Sequence, residues 1–323
     1  MHNRFGKNIK IEIYGGSHTK TLGINIYGLP KDFTIELSEF EFDLSRRRPG
    51  ALGTTKRIES DVPRLSWNRL NNNLQIEFLN ENIDDSAYLK FVDHPRPSHA
   101  DLVQYEKYGY QYNMYGGGMA SGRMTLPLVA LGVICKKLLK EKYPNISIDA
   151  NIIQIKDETN PDNFESIISK AIKEKTSLGA IIKCVVSNMP KYVGEPFFDS
   201  LESIISHLIF SIPGIKGIEF GDGFSGVLKT GIERNDLIID KDGKTLTNNE
   251  GGINGGISNG MPVEFNVAVK PTASIYNPQD TFNFKDNKIE PLQITGRHDI
   301  CFARRVPVII EAITAYAILE LIG

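Results

Sequence analysis

Residues 295 to 310 read TGRHDICFARRVPVII, placing the guanidiniums of Arg297, Arg304 and Arg305, the imidazole of His298 and the carboxylate of Asp299 directly before an apolar run. Charge of this density is costly beside a core unless it is paired or meets a ligand. An anionic ligand is therefore expected there. A second basic stretch, DLSRRRPG (43–50), holds Arg46, Arg47 and Arg48 ahead of a Pro-Gly turn. Guanidiniums favour bidentate contact with phosphate or carboxylate. Three consecutive arginines cannot share one helical face, and Pro49 turns Arg48 away from helix. A solvated charge run and a nucleic-acid patch are the competing readings. The second lacks companion basic runs and interleaved aromatics.

Two histidines sit in loops suited to acid chemistry. YGGSHTKTLG (14–23) sets His18 in a turn of Gly, Ser and Thr just after an alternating segment. Such turns expose backbone N–H groups to a ligand. HPRPSHADLVQYEKYG (94–109) holds His99 behind two stiffening prolines, with Asp101 close by. A neutral imidazole in a fixed loop serves as general acid near its own pKa. An idle turn histidine and a structural His–Asp contact remain open at this point. The glycine run in GGGMASGRMT (116–125) lets backbone approach an anion or a flat cofactor. No Gly-Lys-Ser/Thr follows it, and no strand leads into a GxGxxG, so phosphate-loop and dinucleotide motifs are absent. VKPTASI (269–275) puts Lys270, Thr272 and Ser274 at a strand end, suited to a phosphate or to an ordinary turn.

Alternation of apolar and polar residues predicts strands over 8–15, 23–28 and 74–80, and longer β-branched strands over 146–155, 179–188 and 262–270. Helical periodicity covers 125–143, with Pro127 in the first turn, and also 163–175 and 199–211. The segment 306–322 is apolar on nearly all sides and reads as a buried terminal helix. Strands and helices come in blocks, which predicts α+β layers rather than a doubly wound parallel sheet. No polar linker divides the chain, so one integrated domain over 1–323 is expected.

The chain has 323 residues, 41% hydrophobic and 24% charged, with a net charge of −2. That balance points to no nucleic-acid or membrane partner. No basic-then-apolar leader and no run of ~20 apolar residues is read. Three scattered cysteines without metal spacing fit a reducing cytoplasm, with no metal expected.

Taken in order, GGSH, RRRPG, RPSHADLVQYEKYG, GGG, SIPGIKG, GDGF, GGINGGISNG, KPTASI and GRHD with its following VP resemble the chorismate synthase family from Gly6 to the terminal helix. The resemblance implies a β-α-β sandwich, with helices packed between two antiparallel sheets, assembled as a homotetramer. It implies a lyase of the shikimate pathway. The reaction is a 1,4-elimination that takes 5-enolpyruvylshikimate 3-phosphate to chorismate and phosphate. Reduced FMN is required without net redox change, and NADPH would be an external reductant. It implies acid–base roles for His18, His99 and Asp299. Arg46, Arg47, Arg48, Arg123 and Arg304 would hold substrate anions. FMN would lie against Met119, Ala120, Ser121, Pro213, Gly214, Gly255, Lys270, Pro271, Thr272, Ala273, Ser274 and Arg297.

The chain departs from the family pattern in four places. Gly16 and Thr19 flank Ser-His where Glu and Gly are usual, and Met119 to Met124 replaces Arg-Ser-Ser-Ala-Arg-Glu. The stretch from Leu65 to Phe91 is short, and an arginine expected near Gly53 is absent. The competing expectation is a flavin- or cyclic-phosphate-binding relative with lost or altered activity.

Overall fold

The computed structural model describes residues 3–68, 70, 72–83, 88–109 and 115–323. One antiparallel sheet has the order β1-β2-β3-β5-β4, from β1 (Arg4–Phe5), β2 (Lys10–Gly15), β3 (Thr21–Tyr27), β4 (Arg64–Asn68) and β5 (Asn73–Leu79). The other has the order β6-β7-β11-β8, from β6 (Ser147–Ile155), β7 (Ala180–Ser187), β8 (Ile215–Phe220) and β11 (Val263–Val269). Two small hairpins complete the strands: β9 (Ile253–Asn254) with β10 (Ile257–Ser258), and β12 (Gln279–Asn283) with β13 (Lys288–Leu292).

Register follows the alternation. Ile24 pairs with Ile76 across β3 and β5, and the alternate residues Leu22, Ile26, Leu74 and Phe78 join them in the core. In the other sheet Ile182, Cys184 and Val186 of β7 face inward with Phe265 and Val267 of β11. Burying an Ile or Leu side chain contributes roughly 1.5–3 kcal/mol, so a one-residue slip would forfeit the whole face.

Two apolar helices fill the space between the sheets. α3 (Leu126–Lys142) packs on β3 and β5, while α7 (Pro307–Ile322) packs on β6 and β7. The two helices pack on each other, closely at Gly132, where a Cβ would lie 2.2 Å from that of Ala312. Pro127 and Pro307 start them, where a missing N–H costs nothing. The helical stretch Tyr115–Lys142 has the length and hydropathy of a membrane span, contrary to the reading of the bare sequence. Burial within the sandwich accounts for that composition. The remaining helices are α1 (Glu41–Arg47), α2 (Asp101–Tyr108), α4 (Phe164–Lys173), α5 (Leu201–Ile209) and α6 (Gly231–Arg234). α1, α2, β4, β8 and the hairpins are short or half-exposed and carry little periodicity.

The strand and helix ends deliver the polar loops. β2 ends at Gly15 and hands over to the His18 turn. β5 ends at Leu79 beside the start of β3, and the next residue, Asn80, donates its N–H to Lys20 O (3.0 Å). α1 stops before Pro49 because Arg48 is already extended (ψ 146°).

Candidate active site

A cleft forms where the His18 turn, the loop after α1, the glycine run before α3 and the segment before α7 converge. Its walls carry the guanidiniums of Arg57, Arg123, Arg297 and Arg305 against the carboxylates of Glu59, Asp61 and Asp299. Four cations face three anions, and His18 adds a further positive charge when protonated. The surplus is local, because the whole chain is slightly acidic. A net positive balance at a cleft with low-dielectric walls favours anions.

The His18 turn is tightly specified. Ser17 Oγ lies 2.7 Å from His18 Nδ1 and 3.0 Å from the carbonyl of Tyr115. The hydroxyl has one hydrogen, and a carbonyl can only accept. Ser17 therefore donates to Tyr115 and accepts from His18 Nδ1–H. That fixes the tautomer and makes Nε2 the nitrogen that gains and loses the proton. The Tyr88 ring meets the imidazole edge-on at 4.9 Å.

The glycine run sets the place of both histidines. Gly116, Gly117 and Gly118 all have positive φ. A Cβ on Gly116 would sit 2.1 Å from His18 Cε1, and one on Gly117 3.5 Å from His99 Cε1. A Cβ at Gly116 would overlap the His18 ring, so only a bare backbone lets that ring close on the run, whereas at Gly117 the contact with His99 would be an ordinary one.

His99 belongs to a different cluster, built around the buried Asp101 carboxylate. Its Nδ1 is 2.7 Å from Asp101 Oδ1, close but poorly aligned for a hydrogen bond. Arg96 forks onto the same carboxylate with 2.7 Å contacts to each oxygen and reaches Ser274 Oγ at 3.0 Å. Burial works to raise the Asp101 carboxyl, yet Arg96 and His99 hold it far below the carboxylate range. Burial lowers His99, partly opposed by Asp101, and Arg96 lowers it further. Burial thus favours the neutral imidazole at His99. Lys270 Nζ donates to Ser98 O (2.8 Å), and Lys270 N–H to Gly214 O (2.9 Å), joining Pro213–Gly214 and the 270–274 segment to the His99 loop. Burial and Lys216 lower the Lys270 ammonium. Thr272 Oγ1 and His298 Nε2 are enclosed without a hydrogen-bond partner among the described residues.

Asp299 is held from two sides. Oδ1 accepts the Thr55 N–H at 2.8 Å, and Oδ2 faces Arg305 at 3.4 Å. Its ion pair is with Arg305, six residues on, rather than with adjacent Arg297, which donates to Asn82 O (3.4 Å). Both line the cleft.

The arginines expected to act together are dispersed. Arg123 is on the cleft wall, ion-paired with Asp61 and bonded to Asn80 Oδ1 (3.0 Å). Arg47 is 1% exposed, behind that wall, and donates to Thr125 Oγ1 (3.1 Å) and the carbonyl of Gly122 (3.0 Å). Burial, and then Arg305, push its pKa well below the arginine range. Arg46 forks onto Glu311 (2.7 and 2.6 Å), Arg48 reaches Glu41 (3.1 Å) and Ser60 O (3.0 Å), and Arg304 pairs with Glu165. None of these three lines the cleft. Among the other sequence-derived positions, Ser121 lines it, while Met119 packs on the core and Ala120 is exposed. Pro271 is exposed and Ala273 half-buried beside Thr272. Gly255 turns the β9–β10 hairpin, whose neighbour Gly256 accepts the Leu201 N–H, and no hydrogen bond among the described residues ties it to the cleft.

Sequence reading missed Arg57, Glu59, Asp61, Thr55, Tyr88 and Asn80, and passed over Arg305 for Arg304. The charges at alternate positions in KRIESD (56–61) were the available signal: Arg57 Nε bonds Glu59 at 2.8 Å and Arg57 NH1 bonds Ser17 O at 3.0 Å. Arg57 supplies a guanidinium to the cleft although none stands near Gly53.

A family model described as chorismate synthase matches residues 9–322. The chain is 45% identical to a chorismate synthase of Chitinophaga pinensis, over 98% of this chain and 96% of that one. It is 35% identical to one of Dehalococcoides mccartyi, over 99% and 96%. A crystal structure of chorismate synthase shares the fold, with a TM-score of 0.74 at 21% identity, covering 98% of this chain and 92% of that one. With its sandwich, its cationic cleft and a match along nearly its whole length, the chain belongs to the chorismate synthase family.

Proposed function

We propose that the cleft eliminates phosphate from 5-enolpyruvylshikimate 3-phosphate to give chorismate, as a carbon–oxygen lyase. The surplus of guanidiniums, with His18 and Asp299 on the same wall, carries this reading. The substrate has a phosphate and two carboxylates. Arg57, Arg123, Arg297 and Arg305 would hold these and stabilise charge as phosphate leaves. His18, with Nδ1 committed to Ser17, donates from Nε2 to the leaving oxygen. Asp299, held by the Thr55 N–H at Oδ1 and by Arg305 at Oδ2, is the carboxylate that would take the departing proton. His99, outside the cleft lining, would act from beside the glycine run, where its Cε1 approaches Gly117.

Reduced FMN fits the segment beyond. The Thr272 hydroxyl and His298 Nε2 offer polar contacts that the described residues leave unmet, and the Lys270 ammonium, bonded to Ser98 O, keeps further donors. Lys270 to Ser274, Gly214, Ser121 and Arg297 would hold it. When bound, it supplies electron density to the allylic system without net redox change. The protein then need only orient substrate and cofactor.

An anaerobic assay with 5-enolpyruvylshikimate 3-phosphate and chemically reduced FMN, following chorismate absorbance, tests the proposal. Stoichiometric chorismate and phosphate are expected. Substrate binding without turnover would replace it with the reading of a binding relative.

A further inference from the structure

Asn80 is buried, lies directly after β5 and uses every polar atom of its side chain. Oδ1 accepts from Arg123 Nε (3.0 Å) and Arg57 NH2 (3.4 Å). Nδ2 donates to the carbonyls of Thr19 (2.6 Å) and Gly16 (3.1 Å), which bracket Ser17 and His18. The amide cannot be reversed. Guanidiniums only donate and carbonyls only accept, so oxygen must face the arginines and nitrogen the turn. The turn has a second brace peculiar to this chain's departure from the family pattern. Thr19 Oγ1 accepts the Gly16 N–H at 2.7 Å.

We propose that Asn80 is a positioning residue that holds the His18 turn and the guanidiniums of Arg57 and Arg123 in one register. It touches no reacting atom; it acts through His18 on one side and the anion clamp on the other. Its consequence for turnover rests on the reaction proposed above, but its consequence for the turn does not. An amide is required because a carboxylate of the same shape would keep the arginine bonds and lose both donors. It would also set negative charge against two carbonyl oxygens.

Three variants separate the two halves of this role. Asn80→Asp should raise KM less than Asn80→Ala, because its arginine contacts survive although its charge offsets the surplus, and lower kcat at least tenfold. Asn80→Ala removes both halves and should raise KM and lower kcat together. Thr19→Ala loosens the turn alone and should follow Asn80→Asp in direction. Amide hydrogen exchange is measured on the same proteins without substrate or cofactor. In Asn80→Asp, exchange of the 16–19 amides should quicken at least tenfold while the amides of β3 and β5 keep wild-type protection. Unchanged exchange at 16–19 would overturn the proposal. So would faster exchange throughout the sheet, failure of Asn80→Asp to fold, or a KM raised as much as in Asn80→Ala, each marking a merely structural residue. If wild type makes no chorismate, the proposed reaction fails while the exchange result still decides the positioning role.

Discussion

Two charged clusters draw on one tripeptide and have opposite characters. Arg46 joins Lys136, Asp43 and Glu311 in a set of two cations and two anions, all bonded to one another across α1, α3 and α7. Glu311 also accepts the Ala150 N–H of β6 at 3.2 Å. Burial would raise the Glu311 carboxyl, but Arg46 and Lys136 hold it below its usual value. The cleft, with Arg47 behind it, has more guanidiniums than carboxylates. A balanced cluster closes on itself and ties elements together. An unbalanced one keeps an electrostatic demand that only an anionic ligand meets. Arginine count alone does not distinguish them; the balance of partners does.

The largest effect is expected at Arg47, on the folded state. Its guanidinium satisfies Thr125 and a helix-entry carbonyl from a fully enclosed position. Arg47→Ala should lower stability by about 3–5 kcal/mol, the range for breaking a buried charged contact. Denaturant titration measures this. A stable Arg47→Ala protein with weakened substrate affinity would move Arg47 from scaffold to clamp and blur the comparison.

Asp299→Asn should strike turnover instead. The amide keeps the shape and the Thr55 contact but cannot take a proton. Single-turnover rates with pre-reduced FMN should fall at least ~100-fold, equivalent to about 2.7 kcal/mol, with substrate affinity level or improved. A near-normal rate would show that Asp299 serves only to place Arg305.

Glu311→Gln sharpens the other side. It leaves two cations sharing Asp43 alone, and Arg46 is a third exposed. The loss should therefore be about 2 kcal/mol, below that of a fully buried pair, with specific activity of the folded protein unchanged. An activity loss beyond the unfolded fraction would connect the two clusters.

The smallest effect is a pH slope. Burial, then Arg96, lowers His298 to about 4 in the folded chain, below its ordinary value. The unfolded chain then binds the proton more readily, so stability is lost as pH falls through ~6.5 toward 4. His298→Gln should remove about 1 kcal/mol of that loss between pH 7 and 5, after allowance for partial exposure. Denaturation curves at the two pH values check it; an identical slope in the variant would assign the acid sensitivity elsewhere.

The sandwich was legible because β7 and β11 bury alternate residues while α3 and α7 are buried on nearly all sides, so the strands show as alternation and the helices as long apolar runs. Motifs singled out the two histidines and Asp299, of which His18 and Asp299 line the cleft. Which arginines line it was not legible. Residues adjacent in a helical turn point about 100° apart, so Arg46 and Arg47 reach different clusters, as do Arg304 and Arg305. Which of them faces the cleft depends on packing that no local pattern encodes. Arg57, Glu59, Asp61 and Asn80 lie in loops or just past a strand end, where no period marks the inward side.

The central claim is that unbalanced arginines bind the substrate and balanced ones do not. Calorimetric titration of 5-enolpyruvylshikimate 3-phosphate into Arg297→Met and Arg46→Met tests it most directly. Arg297→Met should weaken binding at least tenfold, in keeping with ~1.5–3 kcal/mol for a charged hydrogen bond, and leave stability intact. Arg46→Met should lower stability and leave affinity within twofold. Equal affinity losses in the two proteins, or none in Arg297→Met, would contradict the account.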